Sequence, residues 1–204
     1  MTDTTEQVYE QVHQQVARLH AYWKILGQLY ATEQRRQLLD KMAPAFFGIV
    51  EESLTESVFM TLSRLTDPAE TRRGRNTDQN LSLARLVASV RDADTEFTQA
   101  IETILHDIQH HCRVFRDWRN RVIAHADQPT AFQIRPLPTI LQEEVDQALL
   151  LIRRLMHQIE HHRQRGDVRY EDVILHGDGD TIVFFLLQAE EYDNEQRDRA
   201  LRGE

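Results

Sequence analysis

Between Thr5 and Tyr30, Val8, Val12, Val16, Leu19, Trp23, Leu26 and Leu29 recur in steps of three and four residues. That spacing places them on one face of a long helix, and such a face has to be buried against other helices. The same periodicity predicts a second helix from about Glu33 to Leu65 through Leu38, Leu39, Met42, Phe46, Phe47, Val50, Leu54, Val58, Phe59 and Leu62, kinked near Pro44 and Gly48. The stretch TDPAETRRGRNTDQ, Thr66 to Gln79, reads as a basic loop, with Asn80 as N-cap of a third helix, LSLARLVASV. A fourth helix starts near Asp94 and buries Phe97, Ile101, Ile104, Leu105, Ile108, Cys112 and Phe115. A fifth runs from about Thr139 to Arg163 with Val145, Leu149, Ile152, Leu155 and Ile159 inward, after a connection containing Pro136 and Pro138. The expected fold class is all-α, a bundle of about five helices.

Beyond Gly166 the periodicity changes. VRYEDVIL, HGDGD and TIVFFLL read as two β-prone runs around a turn, so a small C-terminal β-hairpin is expected, followed by a charged tail. An isolated hairpin is marginal in water, so Val183, Phe184, Phe185 and Leu186 should rest on the bundle or on a second chain. With 204 residues the chain suits one sizeable core: a bundle over 1–165, with the hairpin and acidic tail of 166–204 appended to the same domain.

A single cysteine, Cys112, excludes an intrachain disulfide and a cysteine-built zinc site. The start MTDTTEQVYEQVHQQ has no signal-peptide pattern, and no run of 18 apolar residues occurs. A soluble, cytoplasmic protein with no membrane partner is the expectation. The net charge of −9 opposes bulk attraction to nucleic acid. Arginines nevertheless cluster in TRRGRN, CRVFRDWRNR and IRRLMHQIEHHRQR, so a local positive groove is compatible with that sum.

The stretch FRDWRNRVIAHAD, Phe115 to Asp127, sets an Arg-Asn pair, a further Arg and a His at the end of the fourth helix. On an ideal helix Arg121 and His125 share a face, whereas Arg119 lies about 120° away from His125 and reaches it only through its long side chain or a helix break. A histidine moves a proton near neutrality, an arginine holds phosphate charge and an asparagine orients either, a set suited to phosphodiester cleavage without a metal. A helix-terminal His favoured by the dipole, with arginines paired to Asp117 or Asp127, is the structural alternative.

Arg119-Asn120, the four residues RVIA, His125 and Asp127 resemble the Arg, four to six residues, His motif of the HEPN superfamily, in its branch associated with bacterial abortive infection. SRLTD (Ser63 to Asp67) and NLSLARLV (Asn80 to Val87) resemble that branch's end of helix two and start of helix three. The resemblance spans roughly Trp23 to Ile159. It implies a HEPN-like bundle acting as a metal-independent endoribonuclease, the toxin or effector of a toxin–antitoxin or abortive-infection defence system. The motifs of two protomers would face one composite cleft in a homodimer. Arg119 would contact the scissile phosphate, Asn120 would orient it, and His125 would act as acid or base. Attack by the RNA 2′-hydroxyl would then leave a 2′,3′-cyclic phosphate. No cofactor is implied; the partners implied are RNA and an antitoxin protein. Arg116, Arg121, Trp118 and Asp127 border the motif as candidates for RNA or phosphate contact, as do Arg72, Arg73 and Arg75 of the basic loop. Trp118 would wall the cleft. The alternative within the superfamily is a non-catalytic module that binds a nucleotide or a protein.

A third class rests on the pairs His106/His110 and His157/His161, whose four-residue spacing suits a metal held between neighbouring helices. HGDGD lacks both a Walker lysine and the ligand series of an EF-hand, so it reads as a turn.

Overall fold

The computed structural model describes residues 4–74, 76–91, 94–122, 139–166 and 168–203. Among them, eight α-helices and one short hairpin follow in the order α1 (Thr5–Tyr30), α2 (Glu33–Met42), α3 (Pro44–Leu65), β1 (Glu70–Arg73), β2 (Asn76–Gln79), α4 (Leu83–Val90), α5 (Thr95–His111), α6 (Arg113–Val122), α7 (Gln142–His162) and α8 (Gly179–Arg202). The all-α class stands. The larger number of helices comes from breaks within predicted helices and from a last helix where strands were expected.

Pro44 divides the predicted second helix rather than kinking it. A proline disfavours helical geometry in the residue before it, and Ala43 accordingly sits at φ −158°, ψ 72°, closing α2 through an N–H donated to the Leu39 carbonyl. Pro44 then occupies the first position of α3, where its missing N–H costs nothing. The predicted fourth helix divides likewise at Cys112 (φ −81°, ψ 9°) into α5 and α6.

The chain forms two compact units, one made of the segment up to His20 with Val58–Asp172, the other of Ala21–Ser57 with the segment from Val173 onward. In the first, α5 lies along α7. Val12, Val16, Leu19, Leu62, Ile101, Ile108, Phe115, Ile152 and Leu155 are all fully buried there. Each such side chain contributes about 1.5–3 kcal/mol relative to exposure. A carboxylate shares this interior. Glu160 is fully buried, and its Oε1 accepts from the hydroxyls of Tyr9 (2.8 Å) and Tyr170 (2.9 Å) while Oε2 accepts from the Val168 N–H (3.3 Å). Three donors offset the desolvation that an unpaired buried charge would suffer. Burial and the Glu160 hydrogen bond push the Tyr9 hydroxyl up to about 12.

The basic stretch after α3 is ordered into an antiparallel hairpin, with Arg72 opposite Thr77 and Arg73 opposite Asn76. Gly74 takes φ +63° at its tip, a conformation that favours glycine. Asn80 does not cap the next helix. Its Nδ2 donates to the Pro68 carbonyl (2.8 Å) and to Thr71 Oγ1 (2.7 Å), its N–H donates to the Ala69 carbonyl (2.9 Å), and the hairpin base is thereby closed. Ser82 is the N-cap of α4 instead, accepting from the Arg85 N–H at 3.3 Å.

In the second unit the expected C-terminal hairpin is replaced by α8. Asp178 within HGDGD is a helix N-cap whose side chain accepts from the Thr181 N–H at 3.2 Å. The β-prone letters of TIVFFLL lead without interruption into the helix-forming QAEEYDNEQRDRALR, and Gly203 (φ +77°) ends the helix. Gly179 allows the start of α8 to lie close on α1: a Cβ there would stand 2.8 Å from Gln28 Cβ. The Gly179 N–H donates to Gln28 Oε1 (3.1 Å), and the Tyr30 hydroxyl donates to the Phe47 carbonyl (2.7 Å). Phe46, predicted to face inward, is 62% exposed. No helix among the described residues is long and apolar enough to cross a membrane.

Candidate functional site

The end of α6 is fixed from its apolar side. Phe115 and Trp118, three residues apart on one helix face, are both buried and meet Phe59 of α3, Trp118 edge-on at 5.2 Å between ring centres. Trp118 is therefore buried in the core, at 8% exposure, against the α3 aromatic rather than standing open as the wall of a cleft. Arg119 then points off that face. Its Nη1 donates to both carboxylate oxygens of Asp67, at 3.1 Å to Oδ1 and 2.9 Å to Oδ2, with about a quarter of each side chain exposed.

Asp67 is held as firmly as its partner. It follows the last turn of α3, where Thr66 is fully buried and its hydroxyl donates to the carbonyls of Leu62 and Ser63, both at 3.0 Å. The Asp67 N–H donates to the Arg64 carbonyl (3.2 Å), and the chain beyond is gripped by Asn80. The carboxylate is thus presented by a turn with little freedom of its own.

The neighbouring candidates take different places. Asn120 is exposed, and Arg121 is half-exposed. Arg116 turns back along α5, Nη2 donating to the Gln109 carbonyl at 2.8 Å, while its Nε is buried with no partner among the described residues. Arg72 is exposed on β1, and Arg73 follows it in the same strand. His125, Asp127 and Arg75 lie outside the described residues. Of the sequence candidates, α6 brings Arg116, Trp118, Arg119, Asn120 and Arg121 into one short helix, with Trp118 packed on Phe59 of α3 and Arg119 paired to Asp67 in the turn that follows α3. Asp67 lies within SRLTD, and the sequence alone does not mark it as a site residue, since no spacing rule links positions 52 residues apart.

The histidine pairs are dispersed in use. His106 is largely exposed with Nδ1 3.7 Å from Asp107, and His157 Nε2 lies 2.8 Å from the Val168 carbonyl. Among the described residues no group of three or more His, Cys, Asp and Glu side chains is placed to hold a metal ion. The Cys112 thiol is buried, which pushes it up to about 12 and keeps it protonated and unreactive.

Chemically, the arrangement offers a guanidinium about one-quarter exposed with one nitrogen anchored, beside an exposed amide at the end of a helix. The HEPN_AbiU2 family profile, described as AbiU2, matches residues 1–182, from the start of the chain into the first turn of α8 and across the whole motif. No curated protein and no solved structure matches the chain. With both supporting segments and the Arg-Asn pair inside the matched region, the chain belongs to the AbiU2 family, in the abortive-infection-associated branch of the HEPN superfamily.

Proposed function

We infer that the protein is a metal-independent endoribonuclease, the toxin or effector of a bacterial toxin–antitoxin or abortive-infection system that defends against viruses. The observation that carries the reading is Arg119, held about one-quarter exposed at the end of α6 by the Asp67 carboxylate within the region that the family profile matches. Two protomers would each present this motif to one groove. The 2′-oxygen of RNA would attack the adjacent phosphorus, its proton passing to a base, while the P–O5′ bond breaks and the 5′-oxygen takes a proton from an acid. The products are a 2′,3′-cyclic phosphate and a 5′-hydroxyl. His125 would serve as acid or base, Arg119 would hold the phosphate charge and Asn120 would orient it. Arg116, Arg121, Arg72, Arg73 and Arg75 are the candidates for positioning flanking phosphates, and an antitoxin protein is a candidate partner.

Purified protein is incubated with total RNA and tRNA in excess EDTA, with His125→Ala alongside. Cleavage by the wild type alone, leaving cyclic-phosphate ends, is expected, with the circular dichroism of the two proteins superimposable. Equal cleavage by His125→Ala would remove the assignment. The second reading is a non-catalytic module binding a nucleotide or a protein. It is favoured by the engagement of Arg119 with Asp67, which already satisfies part of its charge. Retained nucleotide or protein binding with no cleavage of any RNA would select it.

A further inference from the structure

We propose that Asp67 is a positioning residue for Arg119, setting the guanidinium so that Nη2 and Nε are left to meet a substrate phosphate. The inference rests on the ribonuclease reading above. An arginine side chain is long and rotamer-rich, and a phosphate contact that depends on it is productive only when the planar fork is already oriented. Asp67 supplies that orientation. Both of its oxygens take up Nη1, at 3.1 and 2.9 Å, which engages one end of the fork, while a guanidinium has further donors on Nη2 and Nε.

Three observations make this more than a surface ion pair. The carboxylate stands on a turn whose backbone is fixed on both sides, by the buried Thr66 hydroxyl before it and by Asn80 after it. The residue preceding Arg119 is held by the same helix that precedes Asp67, through the Trp118 contact with Phe59, so α6 is fastened to α3 and its following turn at two successive residues. The pair is also only about one-quarter exposed on either side, which limits screening by solvent and salt. A carboxylate so close to a phosphate site would oppose substrate binding by like charge. Its contribution would therefore lie in the rate of the chemical step rather than in affinity.

The test compares wild type with Asp67→Asn, Asp67→Glu and Arg119→Lys through three readouts. The first is the nitrogen-15 signal of the Arg119 guanidinium, assigned by its loss in Arg119→Lys, which reports rotation of the fork. The second is affinity for a 2′-O-methyl RNA that has no attacking hydroxyl. The third is the single-turnover cleavage rate in EDTA. Asp67→Asn is expected to free the rotation and lower the rate about a hundredfold, as for a misoriented catalytic group, with affinity unchanged or tighter. Asp67→Glu should restore part of the rate. Unaltered rotation in Asp67→Asn, a wild-type rate, or affinity falling in step with rate would each overturn the proposal. Should Asp67→Asn unfold, Asp67→Glu carries the same comparison, since it keeps the charge and displaces it by one methylene. If the wild type cleaves nothing, the ribonuclease reading fails separately, and the guanidinium signal still decides whether Asp67 fixes Arg119.

Discussion

His20 lies 5% exposed in the first unit, stacked on Tyr170 with ring centres 5.8 Å apart, and its Nε2 has no partner among the described residues. Burial, reinforced by the charge of Arg153, lowers its pKa from 6.5 to about 4. The unfolded chain therefore accepts a proton on His20 near pH 6.5 that the folded chain refuses until about pH 4. Protonation then favours the unfolded state across that window, so this contribution is intact above pH 6.5 and is lost as pH falls. Between pH 7 and pH 5 the expected loss is about 2 kcal/mol. His20→Phe keeps a ring against Tyr170 and removes the titration, so its denaturant midpoint should change less between the two pH values. Identical slopes for the two proteins would assign the acid sensitivity to other groups. At this same scale the sequence disclosed Arg119 and Asn120 but not what holds them. Asp67 meets Arg119 through tertiary structure alone, as Glu160 meets Tyr9, and neither pairing leaves a periodic trace in the chain.

At the scale of elements, apolar period made α1, α5 and α7 legible to within a few residues, because each buries a single stripe over many turns. The errors fell where capping chemistry outweighed local propensity. Asp178 and Gly179 start a helix where Gly and Asp suggested a hairpin turn, and the buried positions Gly179 and Val183 follow a helical step rather than β alternation. The basic loop became strands because Gly74 and Asn80 close it, a pairing that its polar composition did not advertise. Gly179 gives this scale its test. Alanine is the better helix former by up to about 1 kcal/mol, yet its Cβ would stand 2.8 Å from Gln28 Cβ and 3.2 Å from Leu29 Cγ. Overlap with the rigid base of α1 outweighs propensity, so Gly179→Ala should lose about 1–2 kcal/mol and speed amide exchange along the first turns of α8. A stabilised variant would show that α1 gives way at no cost.

The whole molecule presents an acidic chain with a nuclease-like motif, and the proposed association of protomers would reconcile the two. In the proposed dimer a composite groove would concentrate the arginines of two α6 helices while the net charge of each chain stays negative. The second unit exposes apolar residues along α8: Phe184 and Phe185 are 58% and 61% exposed and stack edge-on with centres 5.6 Å apart, with Ile182 and Leu187 exposed on the same helix. Apolar residues gathered along one helix, rather than scattered singly, mark a surface that association would cover. Of the four residues that the sequence assigns to a strand resting on the bundle or on a second chain, Phe184 and Phe185 stand exposed on a helix instead, since exposure of large apolar groups depends on the letters less than on the element that carries them. The double substitution Phe184→Glu and Phe185→Glu keeps helix-forming residues in α8 and places charge where a partner would be apolar. Light scattering is expected to report a dimer for the wild type and a monomer for the variant, with helical circular dichroism retained and RNA cleavage lost in parallel. A variant that remains dimeric would remove α8 from the contact. A monomeric variant cleaving at the wild-type rate would remove the composite site itself, because a groove that needs both motifs cannot function with one.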